Sequence, residues 1–210
     1  MIERIKSFFN NYWYYYKWYV IGGLFLLFAL VVGITQSATR EKYDASVIWA
    51  MHGYVDTPYV DEMSKEFEKY CEDIDGDGEV NVRVILVTFT SKGGMPNSDI
   101  EFSMQQKLIT QLSAGDVYIV VADEITYENY LAKLNAFEKI EDRYPDNPRI
   151  DGYKYYLKDT TFAQNETLSK VIDEDTFMIV GSEEMQKLNS KDQELYQKMR
   201  ETFDRIVKAE

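Results

Sequence analysis

The chain has 210 residues, with 23 Lys and Arg against 36 Asp and Glu and a formal net charge of −13. That acidic surplus repels phosphate backbones and argues against a nucleic-acid partner. One Cys and one His exclude an intrachain disulfide and a Cys/His zinc site. At 45% hydrophobic and 28% charged, the composition is that of one ordinary folded domain plus an appendage.

The appendage comes first. Val20 to Ile34 reads VIGGLFLLFALVVGI, without a charge, and Trp18, Tyr19 and Thr35 extend it. A helix over residues 18–35 spans roughly 27 Å, close to the hydrocarbon thickness of a bilayer. The aromatic run NYWYYYKWY at residues 11–19 precedes it, and Tyr and Trp favour the headgroup interface. Residues 1–17 hold Arg4, Lys6 and Lys17 against Glu3, while the remainder of the chain is strongly acidic. The basic end is therefore expected in the cytoplasm and the acidic bulk outside. A cleaved signal peptide is the rival reading. The stretch ITQSATR after the run lacks a small-x-small site, and no Cys follows for lipid attachment, which favours an uncleaved anchor. The expected organisation is a cytoplasmic segment 1–17, a transmembrane helix 18–35, a tether 36–43 and an extracytoplasmic domain 44–210.

In the outer part, strand and helix patterns alternate. Ala45–Met51 is a nearly continuous apolar run, expected for a strand covered on both faces. Thr57-Pro58 reads as a capping hydroxyl before Pro, and Val60, Met63, Phe67, Cys71 and Ile74 recur at helical spacing, which makes Cys71 a core residue. Val80–Phe89 is rich in β-branched residues. Ser98-x-x-Glu101 resembles a capping box for a helix bearing Ile100, Met104, Leu108 and Leu112, ended by Gly115. Val117–Ala122 reads as another buried strand, and Thr126–Leu134 as a helix. Residues 141–164 lose periodicity and carry Tyr144, Tyr153, Tyr155, Tyr156 and Phe162, either a cover over the sheet or a recognition loop. Thr176–Val180 returns as a strand, Ser182 can cap a short helix, and Ser190-x-x-Gln193 resembles a second capping box. Leu195, Met199, Phe203 and Ile206 give the last helix one apolar stripe. The alternation predicts an α/β fold, a single open and mainly parallel sheet with helices on both faces, preceded by one transmembrane helix.

Between the first helix and the second strand lies Asp73-Ile74-Asp75-Gly76-Asp77-Gly78-Glu79-Val80. Carboxylates at positions 1, 3 and 5, Gly at 6 and a carbonyl at 7 form the first half of an EF-hand-like loop, and hard oxygen ligands suit Ca²⁺. Asp73, Asp75, Asp77 and the Glu79 carbonyl are the predicted ligands. Position 12 is Val84 rather than Glu, so any further carboxylate has to come from elsewhere in the fold. The alternative is a metal-free Asp/Gly turn. A loop from helix to strand sits at the amino edge of the sheet, opposite the carboxyl edge where open α/β sheets bind ligands, so the ion is expected to be structural. The carboxyl edge offers His52, Tyr54, Lys92 and Asp123 as a possible binding surface. With no nucleophile motif beside them, no enzyme is expected.

The order strand, helix, DIDGDGEVNVRVI, helix, then QKLITQLSAGDVYIVVAD resembles the first lobe of bacterial extracellular solute-binding proteins. LNAFEKIED at residues 134–142 is similar to the segment that follows in that family. The loop is similar to one in membrane-anchored surface proteins of Gram-positive type. The likeness covers roughly residues 44–142, with a weaker echo at 176–207. It implies a mixed sheet, with Thr176–Val180 as the returning strand. Only one lobe's worth of chain is present, so the family's closing cleft and its ligand contacts do not carry over. The expected role is a membrane-anchored binding or accessory protein, a subunit of a surface or transport complex. The rivals are a surface hydrolase using the carboxyl-edge residues and a calcium-dependent structural module.

Overall fold

The computed structural model describes residues 2–38, 43–90, 99–184 and 193–209. The chain divides into two compact units, Met1–Lys42 and Tyr43–Glu210. The first holds one helix, α1, Ile2–Ala38. No Pro interrupts it. Leu24, Phe25, Leu26, Leu27 and Phe28 are between 62% and 71% exposed, so the apolar side chains point outward on every side. Among the described residues no helix is long and apolar enough to cross a membrane. The side chains described in α1 end at Val32, inside the uncharged run.

The second unit is α/β, built on a six-stranded mixed open sheet. Its strands are β1 (Ala45–His52), β2 (Val82–Phe89), β3 (Val117–Asp123), β4 (Ile150–Asp151), β5 (Lys154–Tyr156) and β6 (Thr176–Val180), in the order β2-β1-β3-β6-β5-β4. β1 is parallel to both β2 and β3. β6 is antiparallel to β3, β5 to β6, and β4 to β5. The expected sheet was mainly parallel; three of its five strand pairings are antiparallel. The reason lies in the connections. The helices after β1 and β2 return the chain to the same edge, as parallel strands require. After β3 the chain crosses the sheet without a long helix and re-enters through a hairpin.

The continuous apolar runs of β1, β3 and β6 are buried throughout because helices cover both faces. On one face Val47, Trp49 and Val121 pack with Met63 and Phe67 of α2 (Thr57–Glu68) and with Met199, Phe203 and Ile206 of α5 (Gln193–Lys208). On the other, Ile48, Ala50, Val120 and Phe177 pack with Leu108 and Leu112 of α3 (Asp99–Ala114) and with Tyr130 and Leu131. Gly115, at φ +81°, ends α3 as expected. Ile100 is not a core residue: it is 69% exposed. Thr57 is the first residue of α2 rather than its cap, and Asp56 takes that position without a side-chain cap bond. The Glu101 carboxylate accepts from the N–H and hydroxyl of Thr90 at 2.6 and 2.9 Å, tying α3 to the end of β2. Ser98 and Ser190 lie outside the described residues.

The helix expected over Thr126–Leu134 is present, but it changes type along its length. It runs from α4 (Glu124–Thr126) through a π turn, Tyr127–Leu131, to a 3-10 turn, Ala132–Leu134, that stops at left-handed Asn135. The aromatic segment contains the hairpin β4–β5. Lys154 donates to Glu124 Oε2 at 2.5 Å and lies over the Tyr127 and Phe177 rings, and the Tyr156 hydroxyl donates to Glu124 Oε1 at 2.7 Å. Tyr155 and Phe162 of the same segment are buried. It is therefore part of the sheet and its cover.

Candidate metal centre

Sheet register positions the site. Ala45 of β1 is opposite Val82 of β2, so Asp44, one residue earlier, is opposite Asn81 at the end of the acidic loop. The Asp44 N–H donates to Asn81 O at 2.9 Å, and the Asn81 N–H returns a bond to Asp44 Oδ2 at 2.8 Å. Asp44 Oδ1 accepts from the N–H groups of Ile74 and Asp75 at 2.6 and 3.1 Å. One carboxylate, 7% exposed, thus fastens both ends of the loop to the start of β1. Burial pushes the Asp44 carboxyl up, but the bonds from Asn81, Ile74 and Asp75 outweigh it and hold the group below the ordinary carboxylate range.

Within the loop each acid folds onto the backbone ahead of it. Asp73 accepts from the N–H groups of Gly76 and Gly78, Asp75 from Asp77, and Asp77 from Glu79. Gly76 and Gly78 have φ of +76° and +92°, a conformation that side chains disfavour, which is why the turn needs glycine twice. The Asp44, Asp73 and Asp75 carboxylates each place one oxygen within 4.8 Å of the others. Two oxygens on one Ca²⁺ at about 2.4 Å each can stand no more than about 4.8 Å apart, so this cluster could hold a metal ion. Among the described residues none of the three enters an ion pair.

Of the predicted ligands, Asp73 and Asp75 join this cluster, while Asp77 does not and its carboxylate serves the Glu79 turn. Glu79 was expected to contribute its carbonyl. The member that sequence reading missed is Asp44. The neighbouring Glu72 is held differently: Lys198 and Arg205 of α5 pair with it and keep its carboxyl below the ordinary range.

Asp123 Oδ2 accepts from the backbone N–H of His52 at 2.5 Å, and Oδ1 accepts from Thr126 N–H at 2.7 Å as the cap of α4. Tyr54 is 87% exposed. Lys92 lies outside the described residues. A cavity of about 600 Å³, not foreseen from the sequence, is lined by Tyr127, Phe137, Glu138, Tyr153 and Arg200 among others. Glu138 Oε1 accepts from Arg200 at 2.9 Å and from Arg143 at 3.3 Å, so this carboxylate of the wall is paired.

No family model, curated protein or solved structure matches the chain. The resemblance to a solute-binding-protein lobe rests on the residues quoted for it.

Proposed function

We propose that this chain is a membrane-anchored extracytoplasmic protein that acts by binding, as an accessory subunit of a surface or transport complex, with a structural calcium loop in its outer domain. The observation that carries the anchor is α1, a 37-residue helix apolar on all sides over its middle. Such a helix is at home in lipid or inside a large core, and it belongs to a unit separate from the α/β core. The basic residues before the run and the acidic bulk after it support a cytoplasmic N-terminal side. Calcium is favoured by a cluster made of carboxylates alone, since hard oxygen donors suit Ca²⁺ over softer metals. The cluster lies at the amino edge, where it fastens α2 and β2 to β1, which supports a structural role. Asp123 is committed to two backbone N–H groups, and this weighs against the hydrolase reading.

Carbonate washing of membranes tests the anchor: the protein stays in the pellet, and release into the supernatant overturns the reading. Purification from detergent extract tests the role. A defined membrane protein is expected to copurify, whereas turnover of a substrate by the pure protein would favour the hydrolase.

A further inference from the structure

We infer that side chains of α2 and α3 close the outer edge of the sheet against pairing with a strand of another molecule, with Lys107 as the central guard; this does not depend on the anchored reading. β2 is the edge strand on that side. Val84–Phe89 reads VILVTF, six residues without charge, Gly or Pro and rich in β-formers. Such a segment on a sheet edge is a template for a further strand, and folded proteins commonly blunt it with a charge on the strand itself. After Arg83 this strand carries none.

The ladder fixes where each backbone group points. The Gly53 N–H donates to Phe89 O at 2.8 Å, and the Asp44 N–H to Asn81 O at 2.9 Å, so the odd-numbered residues here turn toward β1. In a parallel strand the N–H and C=O of one residue face the same neighbour, and successive residues alternate. Val82, Val84, Leu86 and Thr88 therefore face away from the sheet, followed by Thr90. Among the described residues, the side-chain bonds to the backbone over residues 82–90 all land on these outward groups. Ser64 of α2 donates to Val82 O, and the Val82 N–H donates to Glu68 Oε1 at 3.5 Å. Lys107 Nζ of α3 donates to Leu86 O at 2.8 Å. The Thr90 N–H donates to Glu101 Oε1 at 2.6 Å.

The guarded residues, Val82, Leu86 and Thr90, stand four apart and leave one outward residue between each pair. An added strand bonds to every second residue, so one that pairs with two successive outward residues has to displace a guard. At the centre it has to evict the Lys107 ammonium from Leu86 O, exchanging a charge-assisted bond for a neutral one with the charge still beside it. α2 and α3 can supply these side chains because they cover opposite faces of the sheet and flank its last strand. The opposite edge is blunted in another way: β4 is two residues long.

The test uses the full chain in detergent and compares the wild type with Lys107→Met, Lys107→Arg and Lys133→Met. Light scattering against concentration reads association, and amide hydrogen exchange reads where it occurs. A charge-assisted hydrogen bond is worth a factor of about ten or more in an equilibrium constant. Lys107→Met should therefore associate at about tenfold lower concentration than the wild type, and the amides of Val84 and Thr88 should gain protection as it does. Lys107→Arg keeps a charged donor, and Lys133→Met removes an exposed charge elsewhere; both should match the wild type. Lys107→Met associating no more readily than Lys133→Met overturns the inference. So does association that leaves the Val84 and Thr88 amides unprotected, which would put the contact elsewhere, and so does Lys107→Arg associating as readily as Lys107→Met.

Discussion

Replacing Asp44 by Asn isolates the contact that joins the loop to the sheet. The wild-type carboxylate accepts three backbone N–H bonds, at 2.6, 3.1 and 2.8 Å. An amide keeps one accepting oxygen for Ile74 and Asp75 but turns an NH₂ toward the Asn81 N–H, so one bond is lost and two lose their charge assistance. A donor left unsatisfied in a buried place costs about 1–3 kcal/mol. With the weakened pair, the expected loss in chelator is about 2–4 kcal/mol, which lowers the Tm of a domain this size by roughly 4–16 °C. The pH dependence follows from the depressed folded pKa. The carboxylate's contribution is complete above the unfolded value, about 3.9, and disappears as pH falls through the lower folded value. The gap between wild type and Asp44→Asn should therefore stay flat from neutral pH to about pH 5 and close only below about pH 4. Thermal melts by circular dichroism in chelator read both effects. Melting of the variant within about 1 °C of wild type, or a gap that widens toward acid, would refute the assignment.

Two further outcomes follow, the first from the proposed anchor and the second from the surroundings of Cys71. An accessible thiol placed at the tether by Lys42→Cys, in the Cys71→Ala background, should react with a membrane-impermeant maleimide on intact cells; reaction only after lysis would reverse the orientation. In the native protein the Cys71 thiol is pushed up to about 11, first by burial, so it should resist alkylation at pH 8 until the domain unfolds. Since its folded pKa is raised, the neutral thiol's contribution is complete below the unfolded value near 8.5 and is lost as pH rises toward 11; a Cys71→Ala variant without a flatter alkaline limb in its pH–stability profile would contradict this.

The elements legible in the sequence are those with a long single-period signal. β1, β3 and β6 announce themselves as unbroken apolar runs because both of their faces are covered. α5 shows Met199, Phe203 and Ile206 on one stripe, with Tyr196 completing the buried face in place of Leu195. The β4–β5 hairpin was missed because strands of two and three residues leave no period to read. The available signal was Asp151-Gly152, a turn dipeptide whose glycine has φ +58°. The direction of β6 is a property of topology that an apolar run does not encode. The acidic loop was legible because the spacing of its carboxylates is local. Asp44 was not, since it precedes Asp73 by a whole strand and helix and reaches the loop only through the register of β1 on β2. An acid immediately before a strand that neighbours the loop's own strand was the clue. His52 and Asp123 were rightly placed at one edge, but their contact runs through the His52 backbone.

The account stands or falls on whether the loop binds calcium in the folded domain. Thermal melts of the full-length protein in detergent, with calcium and with chelator, test this directly. Calcium at a hundredfold excess over Kd should stabilise the wild type by about 2.7 kcal/mol, a rise of roughly 5–10 °C. The double variant Asp75→Asn with Asp77→Asn keeps the oxygens that accept from Asp77 and Glu79. It should lose most of the calcium gain while matching or exceeding the wild type in chelator, since mutual repulsion is removed. Superimposable wild-type melts in calcium and chelator would leave Asp44, Asp73 and Asp75 as a metal-free fastening of the loop and contradict the calcium assignment.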